Sequence, residues 1–320
     1  MRAASGARVG PGSGSAEPHR VAWLLLACGL RAAAAHATVS ETLIVGLARG
    51  RGDEVWAACT QPATLRRSAD GGRSWTTALA GRGTGFAAVV TMPGRPERLA
   101  AIEREGTVWR SDDAGDQWHA LAATIPGSVR AAVWLPGGAI VVVGDDGAIA
   151  RSSDAGGTWR RVGAPTPVAL HDVAAAGPHA AWIVGDDGTM LRSADDGASW
   201  TAVAAPTREP LLGVAWADGH HGWAVGRNGT VLHTSDAGGT WTILPAPSTE
   251  GLRAVAALAS GAAAVVGVGG AWRRDPTHGW RRLDVGSDWR SVVPTADGHL
   301  LLGADGGRTA RVAIDHRETP

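Results

Sequence analysis

The sequence predicts an all-β fold: a seven-bladed β-propeller of four-stranded antiparallel blades, with six blades as the alternative. Three observations point there. An eight-residue box recurs along the chain, a glycine-ending hairpin keeps time with it, and the two together define a unit of about 41 residues.

The box has the form S-x-D-x-G-x-x-W. It reads SADGGRSW (Ser68, Asp70, Trp75), SDDAGDQW (Ser111, Asp113, Trp118) and SSDAGGTW (Ser152, Asp154, Trp159). SADDGASW (Ser193, Asp195, Trp200) and TSDAGGTW (Thr234, Asp236, Trp241) follow, and RRDPTHGW keeps only Asp275 and Trp280. Successive box tryptophans stand 43, 41, 41, 41 and 39 residues apart. Ser or Thr and Asp accept backbone N–H groups in tight loops, glycine takes conformations closed to other residues, and Trp covers apolar surface. The box is therefore expected between strands c and d, at the rim, with Trp folded over the outer edge of its blade. Its aspartates read as structural rather than as catalysts or ligands.

The hairpins are GDDG at 144–147, GDDG at 185–188 and GRNG at 226–229, each ending 12 residues before a box Trp; Gly106 stands at the same distance from Trp118. Asp-Gly and Asn-Gly suit the type I′ turn, whose two central residues both have positive φ. Apolar runs such as AIVVV and AAWIV precede these turns, and short strands such as TMLRS and TVLHT follow them. Each unit thus reads as strands a, b, hairpin, c, box, d. From Thr38 to Pro320 there is room for about seven units. The last keeps a hairpin signal at 303–306 but no box Trp. It is expected to lack an outer strand, which residues near Thr38 would supply.

Composition narrows the function classes. Thirty basic residues balance thirty acidic ones, so bulk charge favours neither nucleic acid nor an anionic membrane. There is no lysine, which excludes a lysine Schiff base. Fifteen Trp stand against one Phe and no Tyr, as one structural role copied many times would give.

Residues 1–37 read as an export signal with a disordered N-terminal extension, and 38–320 as a single propeller domain. The apolar run VAWLLLACGL (21–30) follows His19-Arg20 and leads to an A-x-A site at Ala35-His36-Ala37, too short to span a bilayer. Localisation is expected to be periplasmic or secreted. Cys28 in LLAC offers a lipid-anchored alternative, against which Leu26 fits poorly. Cleavage after Ala37 leaves Cys59 alone, so no internal disulfide is expected. The chain is expected to be a monomer without cofactor or metal. The loop Asp218-Gly219-His220-His221 has no evident third ligand.

The string GWAVG-x-x-G-x-V-L-x-x-x-D-x-G-x-x-W in Leu211–Trp241, with AWIVGDDGTMLRSADDGASW before it, resembles the bacterial neuraminidase repeat. More specifically it is similar to the photosystem II assembly/stability factor family of cyanobacteria and plastids. The resemblance is strongest between about Val129 and Trp241. It implies a seven-bladed lumenal or periplasmic propeller, without enzymatic activity, that binds a membrane-protein subunit through an arginine-rich surface during assembly in photosynthesis. The box itself is shared with sialidases and glucanases, so it argues fold better than function.

Aligning the repeats on Trp places Arg130, His171, Arg253 and Arg290 at one position of strand a, with Gly46, Val89 and Leu212 in the other blades. These four basic residues are the candidate partner-binding set: a funnel at the channel mouth for a carboxylate or acidic peptide. The competing reading pairs each with a neighbouring Asp. A second set on strand c, Arg67, Arg110, Arg151, Arg192 and His233, reads as structural, stems packed over Trp or paired with the box.

The expected function is a non-enzymatic, protein-binding assembly factor for an envelope or membrane protein. A glycoside hydrolase or polysaccharide-binding propeller is the alternative, the latter using Trp134, Trp216 and Trp289. A sialidase of the usual type is disfavoured, because its tyrosine nucleophile is missing.

Overall fold

The computed structural model describes residues 43–314, the side chain of Ser260 apart. The export-signal, Cys28 and Thr38-strand expectations lie outside the described residues. Seven antiparallel sheets succeed one another at 43–80, 86–124, 129–162, 170–203, 211–243, 252–282 and 289–313. The first six have four strands in the order a-b-c-d, and the seventh has three. Each strand a packs beside the next, and Trp289–Pro294 of blade seven returns to Leu43–Arg49 of blade one. Closure of this ring leaves few free sheet edges. Among the described residues, no helix is long and apolar enough to cross a membrane.

The turns follow the local chemistry. Asp146-Gly147, Asp187-Gly188 and Asn228-Gly229 all have positive φ, and the Ala148 N–H closes the first turn on the Asp145 carbonyl at 2.9 Å. In blade seven the positive-φ pair is Gly306-Gly307, one residue later than the sequence match suggests. The reason is that Ala304, not Gly303, pairs with the start of strand a.

The larger apolar clusters lie between blades; a small one, Ile44, Ala57 and Cys59, lies within blade one. One joins Val141, Val143 and Ile149 of blade three to Leu170, Ile183 and Trp200 of blade four. Another joins Trp182 and Val184 to Val214 and Trp241 of blade five. Box tryptophans therefore fill the cleft toward the preceding blade instead of covering their own outer edge. Trp118 meets Trp56 edge-on at 5.7 Å, and Trp241 meets Trp182 at 5.5 Å. The box glycine lets this happen: a Cβ on Gly238, at φ +79°, would sit 2.1 Å from the Trp182 ring.

Each box is closed on itself. The Ser193 hydroxyl donates to Asp195 Oδ1 at 2.8 Å and accepts the Gly197 N–H at 2.9 Å. The Asp195 carboxylate in turn accepts the Ser199 N–H and hydroxyl. The bonds from Ser199, then its own Ser193 bond, outweigh desolvation and hold this carboxyl down at about 2. The same network recurs at Ser68, Ser111, Ser152 and Thr234. Asp275 of the divergent sixth copy instead caps Thr277. The unpaired Cys59 is buried, which pushes its thiol up to about 11.

Candidate functional site

Strand a carries a β-bulge in every blade, and the bulge organises the channel. In blade four, Leu170 pairs with Gly185 and Asp172 with Val184, leaving His171 unpaired between them. Arg130, Leu212, Arg253 and Arg290 are skipped in the same way. A bulge re-aims one side chain. Here a buried apolar anchor (Val129, Leu170, Leu211, Leu252, Trp289) precedes it, and the bulged residue lines the axis.

In blades one and two the bulged residues are Val45 and Ala87, not the Gly46 and Val89 expected from Trp spacing. The longer strands a and b of blade two (Phe86–Met92 and Arg95–Glu103) displace the count there by two residues. All four are uncharged, so the distribution of charge around the ring is unchanged.

The structure thus brings Arg130, His171, Arg253 and Arg290 to one axial cavity of about 230 Å³. A second recess of about 260 Å³ at the b–c hairpin end adds Arg104 and Asp145 to Arg130 and His171. The Asp-boxes sit at the opposite end with the a–b turns: Asp196 meets His179 of such a turn at 2.9 Å.

Much of the basic set is paired, each with the hairpin residue fifteen positions on. Arg130 binds Asp145, His171 Nε2 lies 2.8 Å from Asp186, and Arg290 forks onto Asp305. The Arg290 bond, ahead of opposing burial, lowers the Asp305 carboxyl. Arg130 Nη1 also approaches His171 Nδ1 at 3.1 Å, linking blades three and four. Arg253 differs. Its hairpin counterpart is Val268, and its nearest carboxylate, Asp288, is 3.7 Å away. Arg227 and Arg104 occupy hairpin positions where blades three and four carry Asp, and both are exposed. The mouth therefore owes little of its charge to Arg130, His171 and Arg290, which hairpin acids hold, while Arg253 is held more loosely, 3.7 Å from Asp288.

Sequence reasoning missed two polar wall residues. The position after the bulge is small in five blades (Gly46, Ala88, Ala131, Gly213, Ala254), because neighbouring strands approach closely: a Cβ on Gly213 would stand 3.1 Å from Ala254 Cα. The exceptions are Asp172 and Ser291. Asp172 accepts the N–H of Val173 at 2.8 Å and of Val214, in the next blade, at 2.9 Å. Burial outweighs these bonds and pushes its carboxyl up to about 6. The only advance signal was a polar side chain where the repeat keeps small ones.

Chemically the arginines of the site suit an anionic group. Glycoside hydrolysis needs two carboxylates across the scissile bond, whereas Asp145, Asp186 and Asp305 are each tied to a basic partner. The strand-a tryptophans do not offer a sugar platform: Trp134 and Trp289 are buried, and Trp216 packs on Trp182 and Trp241. In the strand-c set, Arg67 lies over Trp56 and pairs with Asp116, Arg110 pairs with Asp112, and His233 stacks on Trp223 at 4.3 Å. Arg151 donates to the Asp196 carbonyl, while Arg192 is exposed. Asp218 is occupied by the N–H groups of His220 and His221. Among the described residues, no group of three or more His, Cys, Asp or Glu is placed to hold a metal.

Fold and boxes together define a bacterial-neuraminidase-repeat, or Asp-box, β-propeller. Residues 192–255 match the family model described as Photosynthesis system II assembly factor YCF48, and the chain is an Asp-box propeller similar to the photosystem II assembly factors. YCF48 from Cyanidioschyzon merolae superposes with a TM-score of 0.70 at 16% identity, covering 87% of this chain and 97% of that one. A structure of YCF48 bound to D1 peptide gives 0.68 at 17% identity, covering 86% and 93%. A GH74 xyloglucanase from Xanthomonas campestris gives 0.70 at 16%, covering 88% of this chain but 53% of its own. At such identities the structural likeness shows the fold alone. No curated protein matches in sequence.

Proposed function

We propose that this chain is an exported, non-enzymatic binding factor that assists assembly of an envelope or membrane protein, holding acidic groups of that client at the b–c mouth. The observation that carries the reading is the convergence of Arg130, His171, Arg253 and Arg290 on one cavity, with Arg104 in the adjoining recess. A similar propeller, YCF48, has been seen bound to D1 peptide, which supports a protein client over a sugar. The export signal read in residues 1–37 puts the work in the periplasm or outside the cell.

The test is pull-down from envelope extract with Arg130, Arg253 and Arg290 all changed to Glu. The expected result is loss of client recovery with an unchanged thermal melt. Unaltered recovery removes these residues from the function.

A further inference from the structure

Six of the seven junctions between blades are filled by an apolar cluster of at least eight buried residues, drawn from both neighbours. The seam where blade seven returns to blade one has no such cluster among the described residues. The small cluster beside it, Ile44, Ala57 and Cys59, comes wholly from blade one. At each of the other junctions the chain also runs across, from strand d to the next strand a, and no described residues cross the seam.

The residues of blade seven explain the gap. Cross-strand pairs such as Val143 with Ile149, Val184 with Met190 and Val225 with Val231 fill the junction to the next blade. In blade seven the corresponding pair is Gly303 with Thr309. Gly303 lets Ile44 come close, since a Cβ there would stand 2.6 Å from Ile44 Cγ2. It also leaves little apolar area to bury, and such burial is the main force closing a junction. Ser291 Oγ is turned toward the same spot, 2.7 Å from that Cβ position, buried and without a hydrogen bond.

At the Asp-box end the seam is closed largely by charge. Arg311 of strand c donates from Nη2 to Asp297, in the a–b turn of blade seven. Its guanidinium lies against the box of blade one, with Nε 3.4 Å from where a Cβ on Gly71 would be. This Nε is buried and makes no hydrogen bond. Arg73 of the same box reaches back to Asp297 at 3.8 Å, and Leu301 seats on Gly72 beside them. Arg73 and Asp297 are both partly open to water, so salt weakens this link as it does not weaken apolar packing.

We infer that this seam is the opening point of the ring: Asp297, Arg311 and Arg73 form an ionic latch, and the seam parts while the other junctions stay closed. The a strands of blades seven and one also wall the axial cavity, so parting gives that cavity a lateral entrance, whatever it binds.

Cys59 reports the event. It pairs with Ile44, which abuts Gly303, and it is fully buried while the ring is closed. The experiment labels the full chain with methyl methanethiosulfonate, an uncharged thiol reagent, over a urea series, followed at Cys59 by peptide mass. Arg311→Met and D297N are compared with the unchanged protein. Arg151→Met, which removes a strand-c arginine at the junction of blades three and four, is the control. In the unchanged protein the urea dependence of labelling is expected to be much shallower than that of global unfolding, the mark of local opening. Each latch variant is expected to raise the rate about tenfold with the slope still shallow, while the control labels as before. Salt at about 1 M is expected to speed labelling of the unchanged protein and to leave D297N nearly unaffected. That salt series needs no variant to fold. Labelling that follows the slope of global unfolding overturns the seam, as does a rate indifferent to salt or raised equally by Arg151→Met.

Discussion

On the face that carries the Asp-boxes, the first Ser or Thr hydroxyl and the Asp two residues on find their partners within the same turn, and the hydroxyl's bonds recur in five copies. On the face that carries the b–c hairpins, partners lie fifteen residues away or in the next blade, and the blades answer in several different ways. Blade three meets its arginine with Asp145, blade six meets its own with Val268, and blade five exchanges the pair for Leu212 and Arg227. Repetition marks what the ring needs in order to close. Departure from repetition, on a backbone that still repeats, marks what the ring is used for.

The most direct attack on the repeated half is Trp182→Ala. This side chain is fully buried between blades four and five against Trp216 and Trp241. Its loss is expected to cost about 3–5 kcal/mol in urea unfolding. A loss under about 1 kcal/mol would show that inter-blade packing is not what holds the ring.

Next comes Ser193→Ala, which leaves the buried Gly197 N–H without an acceptor. The expected loss is about 1–3 kcal/mol. Asp195 should also titrate closer to its ordinary value by NMR, since one of its stabilising bonds is gone. The sign for the box carboxylates follows from their depressed values. Their contribution is complete above about pH 4 and fades as pH falls toward 2.

Asp172→Asn probes the other half and is expected to have the smallest effect. The folded Asp172 carboxyl is raised to about 6 from 3.8, so the folded chain holds its proton more tightly than the unfolded one. Stability therefore falls as pH rises from about 4 to 6, and the cost persists at neutral pH. The Asn variant removes the charge but keeps only one of the two accepting oxygens, its NH2 standing against the other N–H. The relief of the buried charge and the lost bond should offset each other to within about 1 kcal/mol at pH 7, and the variant should lose that segment of the pH profile. A profile that stays unchanged would mean the carboxylate is solvated.

The difference between the faces also explains what could be read in advance. Hairpins and boxes are local: Asp146-Gly147 and Ser193 through Trp200 carry their own geometry, so residue types at fixed spacing suffice. Arg130, His171, Arg253 and Arg290 could be aligned because their blades share one length. That alignment slipped in blade two, where seventeen residues rather than fifteen separate Ala87 from Arg104. The Arg130–Asp145 and Arg290–Asp305 pairs lay within motifs visible in the sequence. Their contact, however, depends on a bulge that no residue type announces. Asp172 and Ser291 were harder still. They matter through what the next blade places beside them, and one chain gives no register between blades until the ring is closed.

The bulge has one more consequence. In blades three to seven the bulged residue takes no part in the strand ladder and in none of the apolar clusters between blades. Its exchange leaves the ladder and the apolar clusters in place and alters only its polar partners, such as Asp145, Asp186 or Asp305. The axis therefore works as a set of sockets, each re-lettered on its own, now spelling Arg, His, Leu, Arg and Arg from blade three to blade seven. Rewriting these letters changes the chemistry of the axis while the strand ladder and the apolar packing between blades stay as they are.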